Sequence, residues 1–321
     1  MKKTISSIAA LSLLTTLSHA GDYHFIKEIP VGGKAQWDYL RIEPGGHRLF
    51  LTHATKIEVI DLEKGAVIGS IDDTLGVHGI AFAPKLGRCF TSNGGENTVS
   101  IVDLNTLKTL MKVHTGANPD NILYEPVQNE VYSFNGRGKS STVFNPGTGK
   151  VAATIDLGGK PESVAADESA GRIYCNIEDK SEVAVIDIKT RSVVAHWPIA
   201  PGESASGMAF DLEHHRLFLG CDNKKMVMMD SANGKVVTTV PIDAGVDANA
   251  FDPGTQLAFS SNGDGGTVTI AKEASPDKLT VVQVLQTSKG ARTMTLDPQT
   301  HFIYLPTQTP SFKVLVYGMD K

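Results

Sequence analysis

The stretch VSIVDLNTLKT, residues 99–109, decides the fold, because it returns along the chain. It reads IEVIDLEKGAV from residue 57, STVFNPGTGKV from 141, VAVIDIKTRSV from 183 and MVMMDSANGKV from 226. Its polar turn residue falls at Asp61, Asp103, Asn145, Asp187 and Asp230, spaced by 42, 42, 42 and 43 residues. Self-similarity at about 40 to 45 residues is the period of propeller blades.

Each unit contains short runs of period-two alternation, such as GIAFAP (79–84), RCFTSN (88–93) and VSIVDL (99–104), separated by Gly, Pro and Asn clusters. Such runs are antiparallel strands, not helices. The repeated phrase is then a third strand whose Asp or Asn opens a tight turn into the fourth, its side chain bonding backbone two residues on. An aromatic in the second strand marks each unit: Phe50, Phe90, Tyr132, Tyr174, Phe218, Phe259 and Tyr304. Seven markers mean seven blades.

The last unit ends at KVLVYGMDK (313–321) without a fourth strand. FIKEIPVGGK (25–34) resembles TIDLGGK (154–160), the end of the third unit, so the amino-terminal strand is expected to complete the final blade. That closure hides an edge open to pairing with other chains. The expected fold is all-β: one seven-bladed β-propeller of four-stranded antiparallel blades over residues 21–321, with the ring closed by the N-terminal strand.

Residues 1–20 carry Lys2 and Lys3, an apolar run from Ile5 to Leu17, and small residues at Ser18 and Ala20. This is the pattern of a cleaved signal peptide, and the run is too short for a transmembrane span. A periplasmic or secreted protein with no membrane span is expected. The segment holds two lysines and no acid, so its loss takes the formal charge from −5 to −7. Nucleic-acid partners are disfavoured, since phosphate neutralisation needs a net basic face. A local basic sector of Arg137, Lys139 and Lys160 keeps a nucleic-acid-binding propeller as a second alternative. Cys89, Cys175 and Cys221 match no metal spacing. Their odd number leaves at least one thiol free, and they read first as buried small hydrophobes, with a Cys175–Cys221 bridge as the alternative.

The blade phrase, the run CFTSNGGENTVSIVD (89–103) and Pro44, Pro84, Pro126, Pro253 and Pro298 after the first strands resemble the YVTN-repeat β-propeller family, in particular its YncE-like exported members. No literal Tyr-Val-Thr-Asn occurs, and Glu168 and Leu212 replace the proline in units four and five. The resemblance implies an exported propeller used mostly for binding. It implies no substrate.

Catalytic motifs are absent from the sequence: no GxSxG elbow, HExxH, P-loop or EF-hand loop. His214-His215 occupies the turn between the first two strands of its unit, FDLEHHRLF, where other units carry PGGHRLF or PKLGRCF, and reads as turn. Trp197, after His196 in a fourth strand, reads as packing between blades or as exposed at the rim, and Trp37, before a first strand, as a candidate for the channel mouth.

The repeat alignment shows which positions converge on the axis. The residue placed just before each innermost strand is Asp38, His78, Asp120, Glu162, Ser206, Asp247 and Arg292. All seven are polar, and they form the candidate ligand-binding ring at the channel mouth. A second set, assigned to the loop after the second strand, is His53, Asn93, Asn135, Ile177, Cys221, Asn262 and Thr307, of which the asparagines join the candidate site. Asp38, His53, His78 and Asp120 mix imidazole and carboxylate as a divalent cation requires. A wet channel mouth that merely prefers polar residues is the competing reading of the ring. The function expected is binding or scaffolding, of a small ligand, metal ion or protein partner, by a monomer. The alternative is a metal-assisted, lactonase-like hydrolase.

Overall fold

Alternation along the chain becomes strands whose inward side chains are buried and whose polar neighbours face water. The computed structural model describes residues 21–34 and 36–320; the segment read as an export signal, residues 1–20, lies outside them. Among the described residues the chain forms seven sheets, each of four antiparallel strands, with only two short 3-10 turns, Pro84–Leu86 and Glu178–Lys180. The innermost strands are Leu40–Ile42, Val77–Ala83, Pro119–Glu125, Pro161–Asp167, Ala205–Asp211, Val246–Asp252 and Thr295–Leu296, for blades one to seven in order.

The turn residue of the repeated phrase acts as expected. Asp61 Oδ1 accepts from the N–H groups of Glu63 (3.1 Å) and Lys64 (2.9 Å), Asp103 Oδ1 from Thr106 (2.7 Å), and Asn145 Oδ1 from Gly147 (2.9 Å). Each such bond satisfies backbone that a tight hairpin leaves unpaired. The seven aromatic markers lie in the second strands and are buried. The apolar clusters sit between blades, one at each of the seven junctions: Phe50 and Val59 of blade one meet Ile80, Cys89 and Val102 of blade two, for example. Packing sheet face on sheet face is what holds the ring.

Closure follows the sequence reading. The strand His24–Pro30 pairs antiparallel with Lys313–Gly318 and is the outer strand of blade seven. Ile29 is fully buried in the junction of blades seven and one, and Tyr23 packs edge-on against Phe259, 5.1 Å away. The cysteines are free and buried in separate blades, so the Cys175–Cys221 bridge does not form. Burial pushes the Cys89 and Cys221 thiols up to about 12 and raises Cys175 as well. Trp197 stacks on Tyr174 within its blade, as packing.

Candidate functional site

The ring residues share one structural device. In blades two to six the strand register slips at the ring position: between Val77 and Gly79, Pro119 and Ile122, Pro161 and Val164, Ala205 and Gly207, and Val246 and Ala248. His78, Asp120, Glu162, Ser206 and Asp247 therefore stand at bulges, as the second residue of their strands and not before them as the sequence reading placed them. A bulge frees a residue from the ladder and re-aims its side chain. In blades one and seven the innermost strands start late, and Asp38 and Arg292 lie in the segments that lead into them.

The side chains meet in groups around the axis. His78 Nδ1 donates to Asp38 Oδ2 at 2.6 Å, while Asn118 Nδ2 donates to His78 Nε2 at 3.1 Å. Asp38, His78 and Asp120 each offer one ligand atom, all within 4.8 Å of one another. Arg292 Nε donates to Asp247 Oδ2 at 2.6 Å, and its Nη2 to the Trp37 carbonyl at 3.1 Å, which ties blade seven to blade one. Lys160 pairs with Glu162 at 2.6 Å and with Glu178 at 2.5 Å. Ser206, at the equivalent position of blade five, is buried.

Four carboxylates so close are costly when ionised. Burial, reinforced by Asp38, raises Asp120 well above the ordinary carboxylate range, and its Oδ1 is covered without a hydrogen-bond partner. Burial likewise pushes Glu162 up to about 7 against the pull of Lys160, and Asp247 up to about 6 against Arg292. At His78 burial opposes the charge, but the bond to Asp38 and the charge of Asp120 outweigh it and raise the imidazole. The mouth therefore holds negative potential that its own cations only partly offset. A pocket of about 390 Å3 opens beside it, lined by Gln36, Trp37, Asp38, Gly76, His78 and Arg292.

The second set of positions does not reach this mouth. These residues end the second strands and are not in the following loops. Asn93 Nδ2 donates to Thr98 Oγ1 (3.2 Å) and Ser100 Oγ (2.9 Å), Asn135 Nδ2 to Ser140 and Thr142 (3.1 Å each), and Asn262 Nδ2 to Thr267 (3.2 Å) and Thr269 (3.0 Å). Each amide is fully buried and ties the second strand to the third, which is why Asn recurs there. His53 is also separate from the ring: Nδ1 faces Glu58 Oε1 at 3.0 Å and Nε2 the Lys34 carbonyl at 2.8 Å. It is not among the residues whose ligand atoms cluster with those of Asp38, His78 and Asp120.

Sequence reading missed Asn118, Tyr39 and Arg41. Tyr39 and Arg41 line a channel cavity of about 410 Å3 with Asn121, Ser163 and Met294. Burial, then the ring carboxylates, raise the Tyr39 hydroxyl well above its ordinary value, while burial lowers Arg41. Their signal was faint: Tyr39 follows the ring aspartate directly, and Arg41 lies on the strand Leu40–Ile42, too short to show alternation. The basic sector is largely neutralised, since Lys139 pairs with Asp179 at 2.7 Å and Lys160 with two glutamates.

Fold and site together define a seven-bladed β-propeller with an acidic, bulge-built ring at one end of its channel. No protein-family model matches the chain, and no curated protein matches it. Among solved structures it is similar to "Kuenenia stuttgartiensis Hydrazine Synthase", with TM-score 0.76 at 16% identity, covering 92% of this chain and 100% of that one. At that identity the likeness is one of fold. Among the described residues no helix is long and apolar enough to cross a membrane.

Proposed function

We propose that this is an exported binding propeller, related to YVTN-repeat proteins, whose channel mouth takes a small cation. A divalent metal ion held by Asp38, His78 and Asp120 is the first candidate, with Glu162 and Asp247 supplying the surrounding field. The observation that carries the reading is the covered, unpartnered Oδ1 of Asp120 inside a ring of four carboxylates. Such a group costs free energy unless a bound ligand completes it. Concave sites with a few converging polar groups are where ligands bind. No nucleophile with a base and orienter stands in the ring, which supports binding over covalent chemistry.

A second reading is favoured by one feature. The 390 Å3 pocket beside Asp38 and His78 is roomy enough for an organic substrate. A metal held there would polarise a carbonyl in a lactonase-like hydrolysis.

The test is a titration of chelator-treated protein with Ca2+, Zn2+ and Cu2+, alone and with a lactone panel. Asp120→Ala/Glu162→Ala should lose the mouth site while the melting temperature stays within a few degrees, because these side chains hold no core. A double variant that binds as the wild type does would refute the assignment. Export is tested by the mass of protein from the culture, which should begin at Gly21.

A further inference from the structure

The strands that start at the ring end on the opposite face of the propeller, where blades five and six each depart from their neighbours at one position. In most blades the innermost strand ends in an acid that caps the following turn. In blades six and seven a threonine three residues later completes it: Thr255 donates to Asp252 Oδ2 and Thr300 to Asp297 Oδ2, at 2.7 Å each. Blade five has Asp211 at the acidic station and His214 at that of the threonine. Asp211 Oδ1 accepts from the Glu213 N–H at 3.0 Å, but Oδ2 receives no hydroxyl.

The other departure is Glu273. The residue after the third-strand turn position donates its N–H to the first hairpin of its own blade: Leu62 to His47 (3.1 Å), Leu104 to Gly87 (2.9 Å), Ile188 to Gly171 (3.0 Å) and Ser231 to His215 (3.0 Å). Glu273 makes the same bond to Gln256 at 2.9 Å, so it holds the same station in blade six. A carboxylate stands where other blades bury aliphatic or small side chains. It is 3% exposed and points at Asp211, which is 2% exposed.

His214 Nδ1 lies 2.7 Å from Asp211 Oδ2 and 3.5 Å from Glu273 Oε1. At these distances the orientations still exclude hydrogen bonds: Asp211 Oδ2, His214 Nδ1 and both Glu273 oxygens are covered and have no hydrogen-bond partner. Among the described residues neither carboxylate forms an ion pair with Lys or Arg; the nearby Arg216 pairs with Asp230 and Asp277. Two buried carboxylates this close repel each other when both are ionised. Three ligand atoms within 4.8 Å of one another, on covered groups that lack hydrogen-bond partners, are the geometry of an ion site.

We propose that Asp211, His214 and Glu273 bind one divalent transition-metal ion that clamps blade five to blade six, on the face opposite the channel mouth. One imidazole nitrogen and two carboxylate oxygens suit Zn2+ and its first-row neighbours, whereas Ca2+ and Mg2+ take oxygen ligands. The His214 side chain is 28% exposed, which leaves an open side for water as the fourth ligand.

The experiment is a calorimetric Zn2+ titration of the chelator-treated full chain, run on wild type, Glu273→Leu, His214→Thr and Asp120→Asn. Leucine and threonine are the residues other blades carry at these stations. Both of the first two variants should weaken one site by at least on the order of tenfold and lose the rise in melting temperature that Zn2+ gives the wild type. Asp120→Asn should keep that site, which separates it from any ion at the mouth. Equal Zn2+ binding by wild type, Glu273→Leu and His214→Thr, or no Zn2+ binding by the wild type, would overturn the proposal. Should Glu273→Leu fail to fold, His214→Thr decides alone.

Discussion

Raising the pH from the ordinary carboxylate range to 7 should weaken this protein, and the channel mouth should be the cause. Burial and Asp38 move Asp247 from 3.8 to about 6, and burial moves Glu162 from 4.5 to about 7. A carboxyl whose folded value is raised binds its proton more tightly in the folded state. Its stabilisation is present below the unfolded value and is lost as pH climbs through the folded one. The window therefore runs from about pH 4 to about pH 7. At ~1.4 kcal/mol per pH unit of displacement, each group accounts for ~3 kcal/mol, and the two interact, so their effects do not simply add. The perturbation is Glu162→Gln/Asp247→Asn, which removes both charges and keeps the shapes. Lys160 and Arg292 lose partners in this variant, a nearly constant offset, so the slope carries the test. Urea midpoints in chelating buffer from about pH 5 to about pH 8 should show the variant gaining a few kcal/mol on the wild type. A divalent cation at the high end should stabilise the wild type more than the variant, because only the wild type carries the two extra charges that it offsets. A difference that stays flat, or moves in the wild type's favour, would refute the reasoning.

Deleting residues 21–31 removes the outer strand of blade seven with buried Tyr23 and Ile29, each contributing about 1.5 to 3 kcal/mol. The shortened chain should melt several degrees lower or aggregate through the bared edge, as light scattering would show. The three thiols should stay unreactive to a disulfide reagent in the native protein and all react in urea, because each is buried with a raised thiol; one fast native thiol would contradict that. Gly234→Ala should cost ~1 to 3 kcal/mol in chemical denaturation. Its φ of +76° favours glycine, and a Cβ there would strike the Trp197 ring.

The period of the repeated phrase and the alternation within it determined the seven blades, their strand order and the closure by residues 24–30, because a blade is a local hairpin pattern written in consecutive residues. The axial ring was legible for the same reason: rotational repetition brings equivalent positions to one radius, so the alignment column of Asp38, His78 and Asp120 maps to one circle. Radius alone did not tell which columns face the channel. Asn93, Asn135 and Asn262 recur as regularly, yet their amides turn into their own blades, and only the bulges in the innermost strands aim the other column inward. The convergence of His214 with Glu273 was invisible in the chain. The two stand 59 residues apart, in different blades and at different stations of the repeat. Whether such stations touch depends on how one twisted sheet is staggered against the next, which tertiary packing decides.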